Sequence, residues 1–446
     1  MLTADENTLL TRVEGNAPMG RLMRRHWVPA ALSEQLAEPD GAPVRLRLFG
    51  EDLVAFRDTE GRLGVLGEFC PHRKASLAFG RNEECGLRCL YHGWKFDVAG
   101  NVVEMASEPK ESGFADRVRH KAYPTQEAGG FVWAYMGPAD QAPAFEPPAW
   151  APSPDVRVSV VRMDLPCNWA QVMEGQIDSA HSSSLHSSDM RPARVASAGA
   201  QDTHWTRPST DKSPRIQVQL TSYGMRYAAV RRPIMNAATQ DYVRITTFVA
   251  PYTALIPPNS SYNVASVIVP KDDTSCYFHF IAWGDPATCI EQDAWRRFCV
   301  AEVGTDLDAD FRPALRHAHN NYLQDRAAMR QGSFTGLPGI PNQDIAMWES
   351  MGAIADRTSE RLGASDIAVI QFRRLMLDAV ARFQAGAAPI GLAAPRLPQA
   401  KLRSYQGLVP KTEDWRTLGA SDEERAALAG LEEDETERRM ARAAAE

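Results

Sequence analysis

The chain has 446 residues and a formal net charge of -7, with 44% hydrophobic and 24% charged residues. That length allows two ordinary domains with sizeable cores, and negative charge spread along the chain excludes a nucleic-acid-binding surface. No apolar run reaches the roughly 18 residues that span a bilayer, and the N-terminus MLTADENTLLTRVEG lacks a signal-peptide core, so a cytoplasmic protein free of membrane is expected.

The stretch MGRLMRRHWVPA alternates apolar and basic positions up to Pro29 and predicts a helical N-terminal segment over residues 1–40. From residue 43 the period changes to two. PVRLRLFGEDLVAF reads as strand, Gly-Glu-Asp turn and strand, and RLGVLGEF continues the meander. GGFVWAYMG (129–137) is a further strand, and the Pro-rich DQAPAFEPPAWAPSPD (140–155) reads as a linker. A β domain is therefore expected over 41–150 and a second domain over 151–395. The second is predicted from RVSVVRMDL, RIQVQLTSYGMRYAAV, YVRITTFVA, YNVASVIVP and CYFHFIAWG, with helices at about 167–181, 288–302 and 365–384. Residues 396–446 read as a C-terminal extension whose charged, Ala-rich end is a solvated helix or disordered. Seven cysteines, odd in number and scattered, point to free thiols and metal ligands rather than a disulfide framework.

Residues 70–94, CPHRKASLAFGRNEECGLRCLYHGW, hold three cysteines and two histidines. A zinc finger pairs cysteine with cysteine and histidine with histidine. Here each loop mixes them: Cys70-Pro71-His72, then Cys89-Leu90-Tyr91-His92. Two mixed loops fit a Rieske [2Fe–2S] cluster, in which two thiolates hold one iron and two imidazoles the other. Cys70 and Cys89 would bind the first and His72 and His92 the second, with Cys85 outside the pattern. A zinc site and coincidental core residues are the competing readings.

The spacing C-x-H-x₁₆-C-x₂-H, flanked by Pro71 and Gly93-Trp94, resembles the Rieske domain of bacterial ring-hydroxylating oxygenases. Such an oxygenase needs a second metal held by two histidines and a carboxylate, with positions open for O₂. NWAQVMEGQIDSAHSSSLH (168–186) offers Asp178 and His181, three apart and so on one face of a helix, after which three serines would loosen the helix and let His186 swing back. The series Glu174, Asp178, His181, His186 is similar to the signature of the family's catalytic domain. The resemblance makes His181 and His186 iron ligands, and makes Asp178 the bridge for electrons to the Rieske histidine of a neighbouring subunit. For the third ligand PNQDIAMWESMGAIADRTSERLG offers Asp344, Glu349 and Asp356. The family's Gln-Asp pattern favours Asp344, with Asp356 the alternative. Either could instead be a helix cap, as Asp344 precedes the apolar-periodic IAMWESMGAI.

YGMRYAAVRRP, YVRITTF and ESMGAIADRTSERLG extend the resemblance to the phthalate-dioxygenase branch of this family. It implies an α+β chain: an antiparallel Rieske-type β domain, then a helix-grip catalytic domain with a long helix on an antiparallel sheet. The implied function is the terminal oxygenase component of an aromatic-acid dioxygenase, taking phthalate to a cis-4,5-dihydrodiol with O₂. The alternatives are another aromatic carboxylate, a monooxygenase performing O-demethylation, or an electron carrier without catalysis. An anionic substrate in a buried pocket calls for arginine. Arg244 shares a strand face with Tyr242, Thr246 and Phe248, and Arg207 follows the ligand helix beside Trp205, so these two are the candidates. With no GxGxxG or P-loop, electrons must come from a separate reductase, expected to be an NADH-dependent flavin and iron–sulfur protein. The bridging Asp178 implies a homotrimer or stacked trimers.

Overall fold

The computed structural model describes residues 1–194, 200–201, 204–257, 259–394 and 396–428, so residues 429–446 of the expected C-terminal extension lie outside the described residues. The chain divides into two compact units, one of residues 12–145 with 269–273, the other of residues 1–11, 146–268 and 274–446. The architecture is α+β. Among the described residues no helix is long and apolar enough to cross a membrane. All seven cysteines are free.

The first unit is built of small antiparallel sheets. Val44–Leu48, Glu51–Arg57, Leu63–Gly67 and Ala122–Tyr123 form one, and Arg81–Glu83, Gly86–Arg88, Trp94–Phe96 and Val102–Met105 another. The third has Trp27–Leu32 at its edge, against Phe131–Tyr135 and then Thr125–Ala128. Helical structure in the unit's N-terminal part is limited to Pro18–Met23 and a 3₁₀ turn at Ser33–Leu36, and the strand Trp27–Leu32 runs through Pro29. Proline cannot donate to a ladder, but an edge strand with a register shift between Pro29 and Ala31 tolerates it. The turn after Leu48 is Phe49-Gly50, both at positive φ, rather than Gly-Glu-Asp. Val54, Phe56, Leu66, Leu77, Leu87 and Phe96 form the core, and Cys70, Cys89 and Trp94 belong to the same cluster.

The second unit carries an eight-stranded antiparallel sheet. Its path runs Arg157–Leu165, Cys276–Gly284, Asn263–Pro270, Thr253–Ile256, Gln240–Val249, Gly224–Arg231 and Arg215–Thr221. Tyr405–Pro410, unforeseen in the sequence, pairs with Gln240–Ile245 beside Thr253–Ile256. The long helix Ile367–Gln384 buries Phe372, Met376 and Val380, four residues apart on one face. Phe372 meets Phe248 of the sheet edge-on at 5.1 Å and Trp169 at 6.3 Å. Two further helices matter for the site, Trp169–Ile177 and Ile340–Ser350. They approach at Gly175, where a Cβ would lie 2.2 Å from Nε1 of Trp348. Only glycine permits that spacing.

Candidate metal centres and anion pocket

In the first unit two tight loops bring the Cys and His residues together. Cys70 N–H donates to the Ala75 carbonyl at 2.9 Å, and Lys74 N–H returns to the Cys70 carbonyl at 2.9 Å. The second loop repeats the device: Cys89 N–H donates to the Trp94 carbonyl at 2.8 Å and Gly93 N–H to the Cys89 carbonyl at 3.0 Å. The His72 and His92 rings stand 4.4 Å apart, and His72 stacks on Trp94 at 4.6 Å with 6° between planes. Both thiols are buried, and burial, then the neighbouring Cys89, pushes the Cys70 thiol up to about 11. Nδ1 of His72 is buried without a hydrogen-bond partner. An adjacent pair of buried thiols beside an unpartnered imidazole nitrogen is the donor set a [2Fe–2S] group would use. Cys85 is a turn residue: with Glu84 it forms a two-residue hairpin at positive φ, and its N–H donates to Oγ1 of Thr59 at 2.8 Å.

In the second unit, helix Trp169–Ile177 starts at Asn168, whose side chain accepts from the Ala170 N–H, and ends at Asp178. Asp178 and His181 therefore do not share a helix face. Asp178 accepts the Ala180 N–H at 2.7 Å, which turns the chain out of the helix, and His181–Ser183 is a separate 3₁₀ turn. The side chains still meet, with Nδ1 of His181 lying 3.5 Å from Oδ2 of Asp178. His186 returns alongside, its Nε2 3.1 Å from Nε2 of His181.

Oδ1 of Asp344 lies 3.1 Å from Nε2 of His186 and 3.6 Å from Nε2 of His181. These three are the group of donors close enough to hold one metal ion among the described residues. Asp344 is the fifth residue of its helix, whose N-cap is Gly339, so the capping alternative fails. Asp356 is exposed and occupied with Thr358 and Ser359, and Glu349 accepts from the Tyr322 hydroxyl at 2.6 Å. Glu174 is also outside the cluster, buried between Arg357 and Arg373.

The far side of each imidazole is oriented too. His181 has Asp178, while Nδ1–H of His186 donates to Oε1 of Gln343 at 2.8 Å. Gln343 is fixed in turn by donating to Asp189 at 2.7 Å and to the Leu337 carbonyl at 2.9 Å. Both Nε2 lone pairs are thereby aimed at Asp344, the convergence that a two-histidine, one-carboxylate iron site requires. Burial opposes a charged His181, but Asp178 and then Asp344 outweigh it and raise its pKa, so the site attracts positive charge. Gln343→Leu should lower the affinity for mononuclear iron about 10- to 100-fold while the cluster stays. Metal analysis after dialysis against a graded chelator measures that shift.

Arg207 and Arg244 are both buried. Arg207 donates to Oγ of Ser183 at 3.1 Å, and Arg244 donates to the Tyr242 hydroxyl at 3.3 Å, to Asn259 and to the Pro257 carbonyl at 3.1 Å. Neither has a carboxylate partner among the described residues, and the Nε of each is buried without a hydrogen bond. Burial, then Arg244, lowers the pKa of Arg207. Gln343, Asp189 and Arg231, which all act on this region, were missed in the sequence. Arg231 carried no local signal, because its strand is buried on both faces and alternation does not single it out.

The chain matches the Rieske [2Fe-2S] domain over residues 26–124 and the LigXa C-terminal domain like family over residues 134–438. It is 63% identical over 420 residues to the phthalate 4,5-dioxygenase oxygenase subunit of Pseudomonas putida, covering 94% of this chain and 95% of that one. It is 35% identical over 438 residues to the 3-chlorobenzoate-3,4-dioxygenase oxygenase subunit of Comamonas testosteroni, covering 94% and 98%. Among solved structures, dicamba monooxygenase bound to 3,6-dichlorosalicylic acid shares the fold, with a TM-score of 0.55 and 16% identity over 82% of this chain and 99% of that one.

Proposed function

This chain belongs to the Rieske oxygenases with a LigXa-like catalytic domain, and from that membership we propose that it is the terminal oxygenase component of a phthalate dioxygenase system. The reaction is the conversion of phthalate to a cis-4,5-dihydrodiol with O₂ and electrons from a reductase. One observation carries it beyond likeness: a two-histidine, one-carboxylate cluster next to buried arginines that have no carboxylate partner among the described residues. An electron carrier would need neither.

Cys70, His72, Cys89 and His92 would hold the cluster and His181, His186 and Asp344 the iron. When bound, the cluster supplies single electrons and the mononuclear iron the centre at which O₂ is activated. The chain's own residues do the rest. Arg207 and Arg244 take one carboxylate each, replacing the water that a dianion loses on entry. Asp178 and Gln343 hold the two rings by their Nδ1 atoms, so that both Nε2 atoms face Asp344. Asp178 also keeps about a quarter of its side chain exposed, which leaves room for an N–H from a second copy of the chain. That supports a homotrimer or stacked trimers, and an active monomer in sedimentation would exclude it. The reductase is an NADH-dependent flavin and iron–sulfur protein, and the system works in the cytoplasm.

The test is binding and turnover of phthalate with a compatible reductase. Arg207→Ala and Arg244→Ala should each raise KM for phthalate at least about tenfold, since a charged hydrogen bond in a desolvated site contributes about 1.5–3 kcal/mol. A KM unchanged in one variant would remove that arginine from the pocket.

A further inference from the structure

Seven arginines are buried among the described residues: Arg162, Arg207, Arg226, Arg231, Arg244, Arg357 and Arg373. Four have a carboxylate within ion-pair distance, namely Asp164 for Arg162, Glu424 for Arg226, and Glu174 for both Arg357 and Arg373. The other three, Arg207, Arg231 and Arg244, have none among the described residues. A buried guanidinium without a counter-charge is expensive, and the expense falls when an anion arrives.

The sheet brings these three together. Gly224–Arg231 pairs with Gln240–Val249 so that Ala229 faces Arg244 and Arg231 faces Tyr242. Arg231 and Arg244 are thus diagonal neighbours on one sheet face, with the small Ala229 opposite Arg244. Arg231 donates from Nη2 to the Ser179 carbonyl at 2.7 Å and to Oγ of Ser183 at 3.3 Å, the same hydroxyl that accepts from Arg207. Its Nε is buried with no hydrogen-bond partner, as are those of Arg207 and Arg244. Burial, then Arg244 and Arg207, pulls the pKa of Arg231 down to about 10, the mark of uncompensated positive charge. Neutral groups hold all three guanidinium groups, Ser179 and Ser183 for Arg207 and Arg231 and Tyr242, Asn259 and the Pro257 carbonyl for Arg244, and a carboxylate is a better acceptor than any of these.

We propose that Arg231 is a third member of the anion pocket and the residue that sets its preference for a dianion over a monoanion. The inference rests on the reading of Arg207 and Arg244 as the carboxylate-binding pair. Two guanidinium groups suffice for two carboxylates by hydrogen bonding. The third adds positive charge that acts on the total charge of the ligand, so a dicarboxylate gains roughly twice what a monocarboxylate gains. Its contacts with Ser179 and Ser183 place that charge beside the turn that carries His181, where a ring anchored by two carboxylates has to lie.

The experiment compares phthalate with benzoate by titration calorimetry on the metal-loaded protein, for the wild type, Arg231→Gln and Arg231→Lys, with iron content and melting temperature measured alongside. Gln keeps a donor for the Ser179 carbonyl and removes the charge, whereas Lys keeps the charge and loses the planar fork. For Arg231→Gln we expect phthalate affinity to fall about tenfold or more while benzoate changes several-fold less, as a through-space charge effect requires. Arg231→Lys should keep most of the preference for phthalate, and the preference should shrink with added salt in the wild type more than in Arg231→Gln. Equal weakening of both ligands in Arg231→Gln, or loss of the preference in Arg231→Lys, would show a structural brace and overturn the proposal. If Arg231→Gln does not fold, Arg231→Lys and the salt dependence of the wild type decide it alone. A wild type that binds benzoate and phthalate equally overturns the role of Arg231, and one that binds neither overturns the aromatic-acid reading itself.

Discussion

Asp344→Ala is expected to remove the mononuclear iron and leave the Rieske cluster in place. Iron should fall from about three to about two atoms per chain, with the cluster's visible absorption unchanged. The loss should exceed the roughly 10- to 100-fold expected for Gln343→Leu, because Asp344 is a converging donor whereas Gln343 acts through His186. Folding should be little affected. Among the described residues Asp344 has only histidines as ion-pair partners, His181 and His186, and both retain an orienting partner in the variant, Asp178 and Gln343. Asp356→Ala is the matched control: it removes an exposed cap on Thr358 and should leave all the iron bound. Iron retained in Asp344→Ala and lost in Asp356→Ala would reverse the assignment.

The Cys/His loops and the two histidines of the second site could be read from the sequence because each set of donors is local. Cys70 to His72 and Cys89 to His92 are single tight turns, and a turn fixes geometry over a few residues. His181 and His186 are equally near each other along the chain. The orienting partners could not be read in this way, since Gln343 reaches His186 across 157 residues of chain and no local pattern encodes that contact. Period-two alternation found the longer strands, such as Glu51–Arg57, Phe131–Tyr135, Gln240–Val249 and Cys276–Gly284, but not the short ones of three or four residues, such as Arg81–Glu83, Gly86–Arg88, Trp94–Phe96 and Thr253–Ile256, which are too brief to show a period. It missed Tyr405–Pro410, where a proline and a glycine weaken the pattern and pairing to Gln240–Ile245 supplies the order instead. Pro29 misled in the opposite way: it looked like a terminator and is a bulged edge-strand residue. Asp178 was expected inside a helix, but an aspartate that can accept a nearby backbone N–H competes with the helix and ends it. The burial of Arg231 is a tertiary fact. In the sequence RRP gives no sign that the first arginine is enclosed and the second exposed.

Glu174→Ala should be the most destabilising single change near the iron site. The carboxylate takes Nε of Arg357 at 2.8 Å and Nη2 at 3.0 Å, and also Nε of Arg373 at 2.7 Å. Arg373 would keep Glu360. Arg357, fully buried, would be left with the neutral acceptors Asn7 at 3.0 Å and Ala355 at 3.2 Å. Removing one partner of a buried pair costs about 3–5 kcal/mol, measurable by urea unfolding. The effect also has a pH signature. Burial works to raise the Glu174 pKa, but Arg357 and then Arg373 outweigh it and hold the carboxyl below its ordinary value. A depressed folded pKa means the contribution is complete above the unfolded value of about 4.3 and is lost as pH falls through the folded one. The advantage of the wild type over Glu174→Gln should therefore be constant from pH 8 to about pH 5 and shrink below about pH 4. If the gap stays the same at every pH, shape and hydrogen bonding, rather than charge, hold this helix. Because Glu174 lies one turn before Asp178, loosening it should release iron before the cluster-binding unit unfolds.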